Sequence, residues 1–162
     1  MIWAEAIAAP GHFIFRADKK NHEPYFKLCA GDDWLRIDKP CVLLQRTTAK
    51  EQARRLIAAS LPASLIRRHG GVVIENHVNM VRSLNGHAHI KPTTVAAVLN
   101  SEIVDDAFRC ISGSVAVSAF ELEALPLPSI MEMAHIEQLV SRGAAQEEID
   151  CHLRRIYMGE VL

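Results

Sequence analysis

The chain has 162 residues, 49% of them hydrophobic and 23% charged, the balance of a soluble globular protein of about one domain. That balance excludes a disordered tail, a collagen-like fibre and a disulfide mini-protein, and no apolar run reaches the roughly 18 residues that a membrane-spanning helix needs. The net charge of −1 speaks against nucleic acid as a partner of the chain as a whole. The charge is unevenly laid out, however. Residues 46–69 carry Arg46, Lys50, Arg54, Arg55, Arg67 and Arg68 against Glu51 alone, for +5, while residues 70–128 and 129–162 each carry −3. One basic segment in an otherwise neutral to acidic chain is either a phosphate-contacting surface or a solvated helix face. The start, Met1-Ile2-Trp3-Ala4-Glu5, has no basic n-region and places an acid where a signal peptide is apolar, so a cytoplasmic protein is expected. Cys29, Cys41, Cys110 and Cys151 form no C-x-x-C pair and are read as reduced, buried thiols.

In chain order, Phe13-Ile14-Phe15, Tyr25 to Leu28, Trp34 to Ile37 and Cys41 to Leu44 read as short strands separated by turn signals. Thr48 and Glu51 have the spacing of a capping box, which predicts a helix with Ala53, Leu56, Ile57 and Ser60 on one face, Arg54 and Arg55 pointing away, and a stop at Pro62. Gly70-Gly71 marks a turn. Val72 to Ile74 and Val78 to Val81 read as strand, interrupted by the polar Glu75-Asn76-His77, and Asn85-Gly86 is a hairpin signal. Helices are predicted over Pro92 to Leu99 and Ile103 to Ile111, and Val115 to Val117 is extended. The Leu125-Pro126-Leu127-Pro128 stretch blocks helix. Beyond it, Ser129 and Glu132 form a second capping box, opening a helix through Ile130, Met133, Ile136, Leu139 and Val140. Gly143 ends that helix, and Gln146 to Tyr157 makes the last.

Catalytic templates are missing: there is no G-x-S-x-G elbow, Walker A loop, G-x-G-x-x-G or H-E-x-x-H. His87 and His89 alternate as two imidazoles on one strand face would, and with Glu75 and His77 they make a small metal-dependent nuclease a weak third option. Ser112-Gly113-Ser114 follows a helix C-terminus, where the dipole opposes phosphate. It is read as a turn fixed by hydroxyls, or as an exposed loop that approaches a DNA backbone.

The order Leu99-Asn100-Ser101, Phe108-Arg109, Ser112-Gly113-Ser114 and Leu125-Pro126-Leu127-Pro128 resembles the target-recognition domains of restriction-modification systems. It is most similar to the C-terminal specificity region of TaqI-like adenine-specific DNA methyltransferases, and more loosely to type I specificity subunits. Leu43 to Thr48, Glu51-Gln52, Arg54-Arg55 and Glu75 to Asn79 extend the resemblance over about Pro40 to Ser129. It implies a module that reads duplex DNA while a catalytic methyltransferase domain or subunit, carrying S-adenosylmethionine and an Asn-Pro-Pro-Tyr/Phe motif, extracts the adenine. This chain has no Asn-Pro-Pro and no glycine-rich cofactor loop, so it should not methylate alone, and no cofactor or metal is expected in it.

The expectation is therefore an α+β chain with a mixed or antiparallel sheet, flanking helices and a C-terminal helical hairpin. It divides into a target-recognition-like domain over 1–128 and the hairpin over 129–162. Arg46, Thr47, Lys50, Arg54, Arg55, Asn76, His77, Asn79, Ser112 and Ser114 are the candidate DNA-binding residues. Arg46 would grip guanine O6 and N7, and Asn76 or Asn79 adenine N6 and N7. Leu99, Phe108, Leu122, Leu125 and Leu127 are expected in the core, with Asn100 and Ser101 capping a helix junction. The rival reading is a module that docks to a methylase or nuclease subunit.

Overall fold

Val42–Gln45 (β3) is a nearly unbroken apolar run because both of its faces are covered. Strands alternate side chains between faces, and here the alternation splits the interior in two. Val42 and Leu44, with Ala58 of the neighbouring strand Ala58–Ser60 (β4), belong to one hydrophobic cluster. Cys41, Leu43 and Ala59, with Val78 of the other neighbour Val78–Val81 (β5), belong to a second. The three strands form an antiparallel sheet in the order β4-β3-β5, with Leu43 opposite both Ala59 and Met80. The computed structural model describes residues 1–48, 53–83 and 89–159.

The first cluster is roofed by helices. Pro92–Leu99 (α2), with proline in its first turn, lies against β3 and β4, and Glu102–Ile111 (α3) follows at once. Ser101 is the N-cap between them, its hydroxyl accepting from the Val104 amide. Ala119–Glu123 (α4) and Ile130–Ser141 (α5) each open with a capping box, Ser118 with Glu121 and Ser129 with Glu132. Gln146–Tyr157 (α6) packs back on α2, α3 and α5. Phe108, Val104, Ile136 and Leu153 are fully enclosed there.

The second cluster is roofed by irregular chain. Ile7–Ala9 (β1) and His12–Phe13 (β2) make a small antiparallel sheet, and Ala63–His69 (α1) closes one side. Ile2, Ile7, Leu61, Leu65 and Val72 fill it.

The α+β class with an antiparallel sheet is what the sequence led us to expect; several local expectations fail. Ala58–Ser60 is a strand, not the end of a helix opened at Thr48. Pairing with β3 buries Ala58 and Ala59 completely, on opposite faces of the sheet, which outweighs the helical spacing of Ala53, Leu56, Ile57 and Ser60. Residues 49–52, and with them the rest of that capping box, lie outside the described residues, as does the Asn85-Gly86 turn. Tyr25 to Leu28 forms no strand, and a 3-10 turn at Asp33–Leu35 replaces the strand expected at Trp34. Val72 and Ile74 make only single bridges, to Ile37 and Ile2. α1 and α4 were not foreseen. Leu127 is 47% exposed rather than core, because its Leu-Pro-Leu-Pro segment passes over the surface. Of the cysteines, Cys41 alone is buried; Cys29, Cys110 and Cys151 are exposed.

Candidate nucleic-acid interface

At the end of β3 the strand runs on past its last ladder pair, and two segments meet it there. The Arg46 amide donates to the His77 carbonyl, while the Arg46 carbonyl accepts from the Val117 amide. Thr47 bridges Ala116, and the Thr48 amide donates to Val115. The polar cluster that precedes β5 is thus drawn beside the Ser114 to Val117 segment, with Arg46 at the junction.

Arg46, Thr47, Asn76, His77 and Ser114 are all exposed there. The Arg46 guanidinium is steadied by the Asn76 carbonyl at 3.1 Å. Asn79, half-buried, donates its side-chain amide to the Val117 carbonyl at 2.6 Å, so its role is to tie the two segments together. Glu75 is largely buried and accepts from the His77 backbone amide at 3.0 Å while meeting Nδ1 of the same imidazole at 2.5 Å. That contact fixes the ring and leaves Nε2 to the outside. The Ser114 hydroxyl donates to the Ala116 carbonyl, an interaction of a turn.

The structure separates the other candidates from this group. Arg55 was expected to point away from the core, yet it is only 3% exposed. Its Nε donates to the Thr48 hydroxyl at 3.0 Å, its Nη2 to the Ser114 carbonyl at 2.6 Å, and its guanidinium lies 5.8 Å from the Phe108 ring centre. A buried guanidinium must have its donors met, and here they clamp the Ser114 segment to Thr48, just beyond β3. Arg54 lies within 4 Å of both Glu102 and Asp150, at 3.9 and 3.8 Å, and its charge is offset there. Burial holds the Asp150 carboxyl above its ordinary range, against the opposing pull of Gln146 and Arg54. Ser112 is buried, and the Glu121 carboxyl is held below its usual range, first by the Ser118 hydroxyl and then by the Ser118 amide. Lys50 lies outside the described residues. Arg67 and Arg68 are in the last turn of α1, on the other cluster.

Sequence reasoning missed the residue that organises this end of the sheet. Asp105, buried on α3, accepts from the backbone amides of Arg55 at 2.7 Å and Leu56 at 2.6 Å, and from Arg109 Nε at 2.8 Å. Its spacing to Arg109, one helical turn, was the available signal. Asn100 was read as a cap; it also holds the outer side of β4, donating to the Ala58 carbonyl and accepting from the Ala58 amide, both at 2.9 Å. As for the metal option, Glu75 and His77 contact each other, His87 lies outside the described residues, and among those described no group of three His, Cys, Asp or Glu could hold an ion. Among them, too, no helix is long and apolar enough to cross a membrane.

Among known proteins, the chain is similar to the type II methyltransferase M.PstI of Providencia stuartii, with 31% identity over 112 residues. The aligned part covers 65% of this chain and 21% of that protein, so the chain spans about a fifth of the relative it matches. No family model matches the chain, and no solved structure does.

Proposed function

We propose that this chain is the DNA-recognition part of an adenine-specific DNA methyltransferase of a restriction-modification system, acting in the cytoplasm beside a catalytic domain or subunit that binds S-adenosylmethionine. The observation that carries the reading is the gathering of Arg46, Thr47, Asn76 and His77, all exposed, where three chain segments meet at one end of the sheet. A guanidinium, a carboxamide and an imidazole whose Nδ1 is already engaged are groups that read base edges and grip phosphate. The Arg46 amide is bonded to the His77 carbonyl and the Arg46 guanidinium to the Asn76 carbonyl, so the group is preorganised. The similarity to part of a methyltransferase agrees with a module that leaves methyl transfer to another domain.

The basic segment contributes less than its +5 promises, since Arg54 and Arg55 are engaged inside the protein. Weak duplex binding with a modest salt slope is therefore expected, since the slope scales with the number of phosphates contacted. The test is binding of duplex DNA over a salt series by the wild type, Arg46→Ala and the double variant Asn76→Ala/His77→Ala. If Arg46 reads a base, its loss relaxes discrimination at one position by about 1–3 kcal/mol; a uniform loss over all sequences makes it a phosphate contact. Binding that is equal in all three proteins removes this surface from recognition.

A docking module is favoured by one feature. Leu127, Ile130, Met131 and Met158 are exposed, on chain segments that the bond from the Tyr157 hydroxyl to the Pro126 carbonyl joins. Apolar side chains in such number suit a protein partner, and the catalytic domain is the partner proposed. Association with that domain that is unchanged by Ile130→Ser/Met131→Ser would refute this part of the reading.

A further inference from the structure

On the second cluster, away from the Arg46 surface, the chain encloses an open cleft of about 170 Å³. Its walls are aromatic. Phe15 and Tyr25 flank His69, with ring centres 5.5 and 6.0 Å from the imidazole, and Phe26 adds a further ring. Tyr25 is 66% exposed and Phe26 45% exposed, so both present ring surface that nothing else in the described residues covers. A cavity of about 150 Å³ is known to be room enough for benzene, so this one accepts a single ring system.

The polar side of the cleft is cationic. Arg36 lines it, no acidic side chain does, and among the described residues the Arg36 guanidinium has neither a hydrogen-bond nor an ion-pair partner. The placement of that arginine is built into the backbone. Gly71 has φ 138°, and a Cβ there would stand 2.7 Å from Arg36 Cγ. Only glycine lets the arginine stem lie across the turn that follows α1, at the wall of the cleft.

The geometry points to this cleft as a binding site for a small planar aromatic anion, the ring held between Tyr25, Phe26 and His69 and the anionic group by Arg36. Offset stacking and edge contacts suit the ring, and the planar guanidinium fork suits carboxylate or phosphate. An aryl carboxylate and a nucleoside monophosphate share this chemistry. The site has no residue in common with the proposed DNA surface and does not depend on it.

Saturation-transfer NMR and calorimetric titration with benzoate, AMP, adenosine and inorganic phosphate test the assignment. Binding of benzoate or AMP is expected, and whichever binds identifies the anionic group. Adenosine and phosphate, each lacking one half of the chemistry, should bind about tenfold more weakly or not at all. Arg36→Ala and Tyr25→Ala, both at exposed positions, should each weaken binding about tenfold, Gly71→Ala should weaken it by displacing Arg36, and Arg46→Ala should leave it unchanged. Far-UV circular dichroism and melting curves establish that the variants fold. Absence of binding by both benzoate and AMP at 10 mM, chosen as roughly the weakest affinity worth calling a site, overturns the assignment. So does binding that persists unchanged in Arg36→Ala and Tyr25→Ala.

Discussion

Both faces of the central sheet are buried, and they are built differently. One is roofed by helices whose ends are fixed by Ser101, Ser118 and Ser129. The other is roofed by turns, single bridges and the small sheet of β1 and β2. A helical roof cannot settle into a void without moving whole helices, whereas irregular chain relaxes locally. The proposed DNA surface sits where β3 leaves the helical face, and the aromatic cleft belongs to the irregular one.

Adjacent residues sharpen this contrast. Leu43 and Leu44 are both fully buried, on opposite faces. Leu-to-Ala changes cost about 2–5 kcal/mol according to how far the site collapses. Leu44→Ala should fall near the top of that range, at about 4 kcal/mol, and Leu43→Ala nearer 3 kcal/mol. Urea unfolding of the two variants decides it; equal costs, or the reverse order, would remove the difference in rigidity between the faces.

Asp105 tests the link from the helical face to the proposed surface. Asp105→Ala leaves the Arg55 and Leu56 amides without their acceptor and Arg109 Nε without its carboxylate. Buried donors left unpaired cost about 1–3 kcal/mol each, and a loss of about 3 kcal/mol in urea is expected because partial rehydration offsets some of it. DNA binding should fall as well, since the segment holding Arg55 and, through it, Ser114 is no longer anchored. A stable Asp105→Ala protein with intact DNA binding would show that the two are uncoupled.

The same two faces explain what could be read in advance. Four helices over the first cluster announce themselves through caps, proline at a first turn and apolar spacing, so Pro92 to Leu99, Ile103 to Ile111 and the last two helices were legible; α4, five residues long and with none buried, was not, despite its Ser118 and Glu121 capping box. Alternating apolar runs in the first forty or so residues look like strands, but residues such as Tyr25, Phe26 and Trp34 remain exposed, and no strand among the described residues pairs with them. β4 was misread because Ala53, Leu56, Ile57 and Ser60 keep helical spacing; pairing with β3, a contact distant in sequence, overrides it. For the proposed surface, residue type singled out Arg46, Asn76 and His77, which the fold brings together, while Arg55 was misplaced for a related reason. Local spacing put it outward, and the acceptors that bury it, at Thr48 and Ser114, are brought in by tertiary contacts.

Asn100 offers a milder perturbation. Its side chain pairs both ways with Ala58, yet the Ala58 carbonyl also accepts from the Gly11 amide at 2.8 Å. Asn100→Ala therefore leaves only the Ala58 N–H without an acceptor, and about 2 kcal/mol is expected. A cost well under 1 kcal/mol would mean that the outer side of β4 needs no partner from α2.

The gentlest probe is the thiol of Cys41, on the irregular face. Burial pushes its pKa from the ordinary 9.0 up to about 11. Below pH 9 the thiol is protonated in both states, and the stability due to its burial is fully present. As pH rises from about 9 toward 11, the unfolded chain loses this proton first, so it binds fewer protons than the native protein and stability falls. The decline should reach about 2 kcal/mol. Lysines and tyrosines titrate in the same range, so the informative quantity is the difference between wild type and Cys41→Ala, which should shrink by that amount over the interval. At pH 8 the native protein should react rapidly with a thiol reagent at Cys29, Cys110 and Cys151, which are exposed, and at Cys41 only on unfolding. Rapid reaction of Cys41 in the native state would mean that the irregular roof opens far more readily than the helical one.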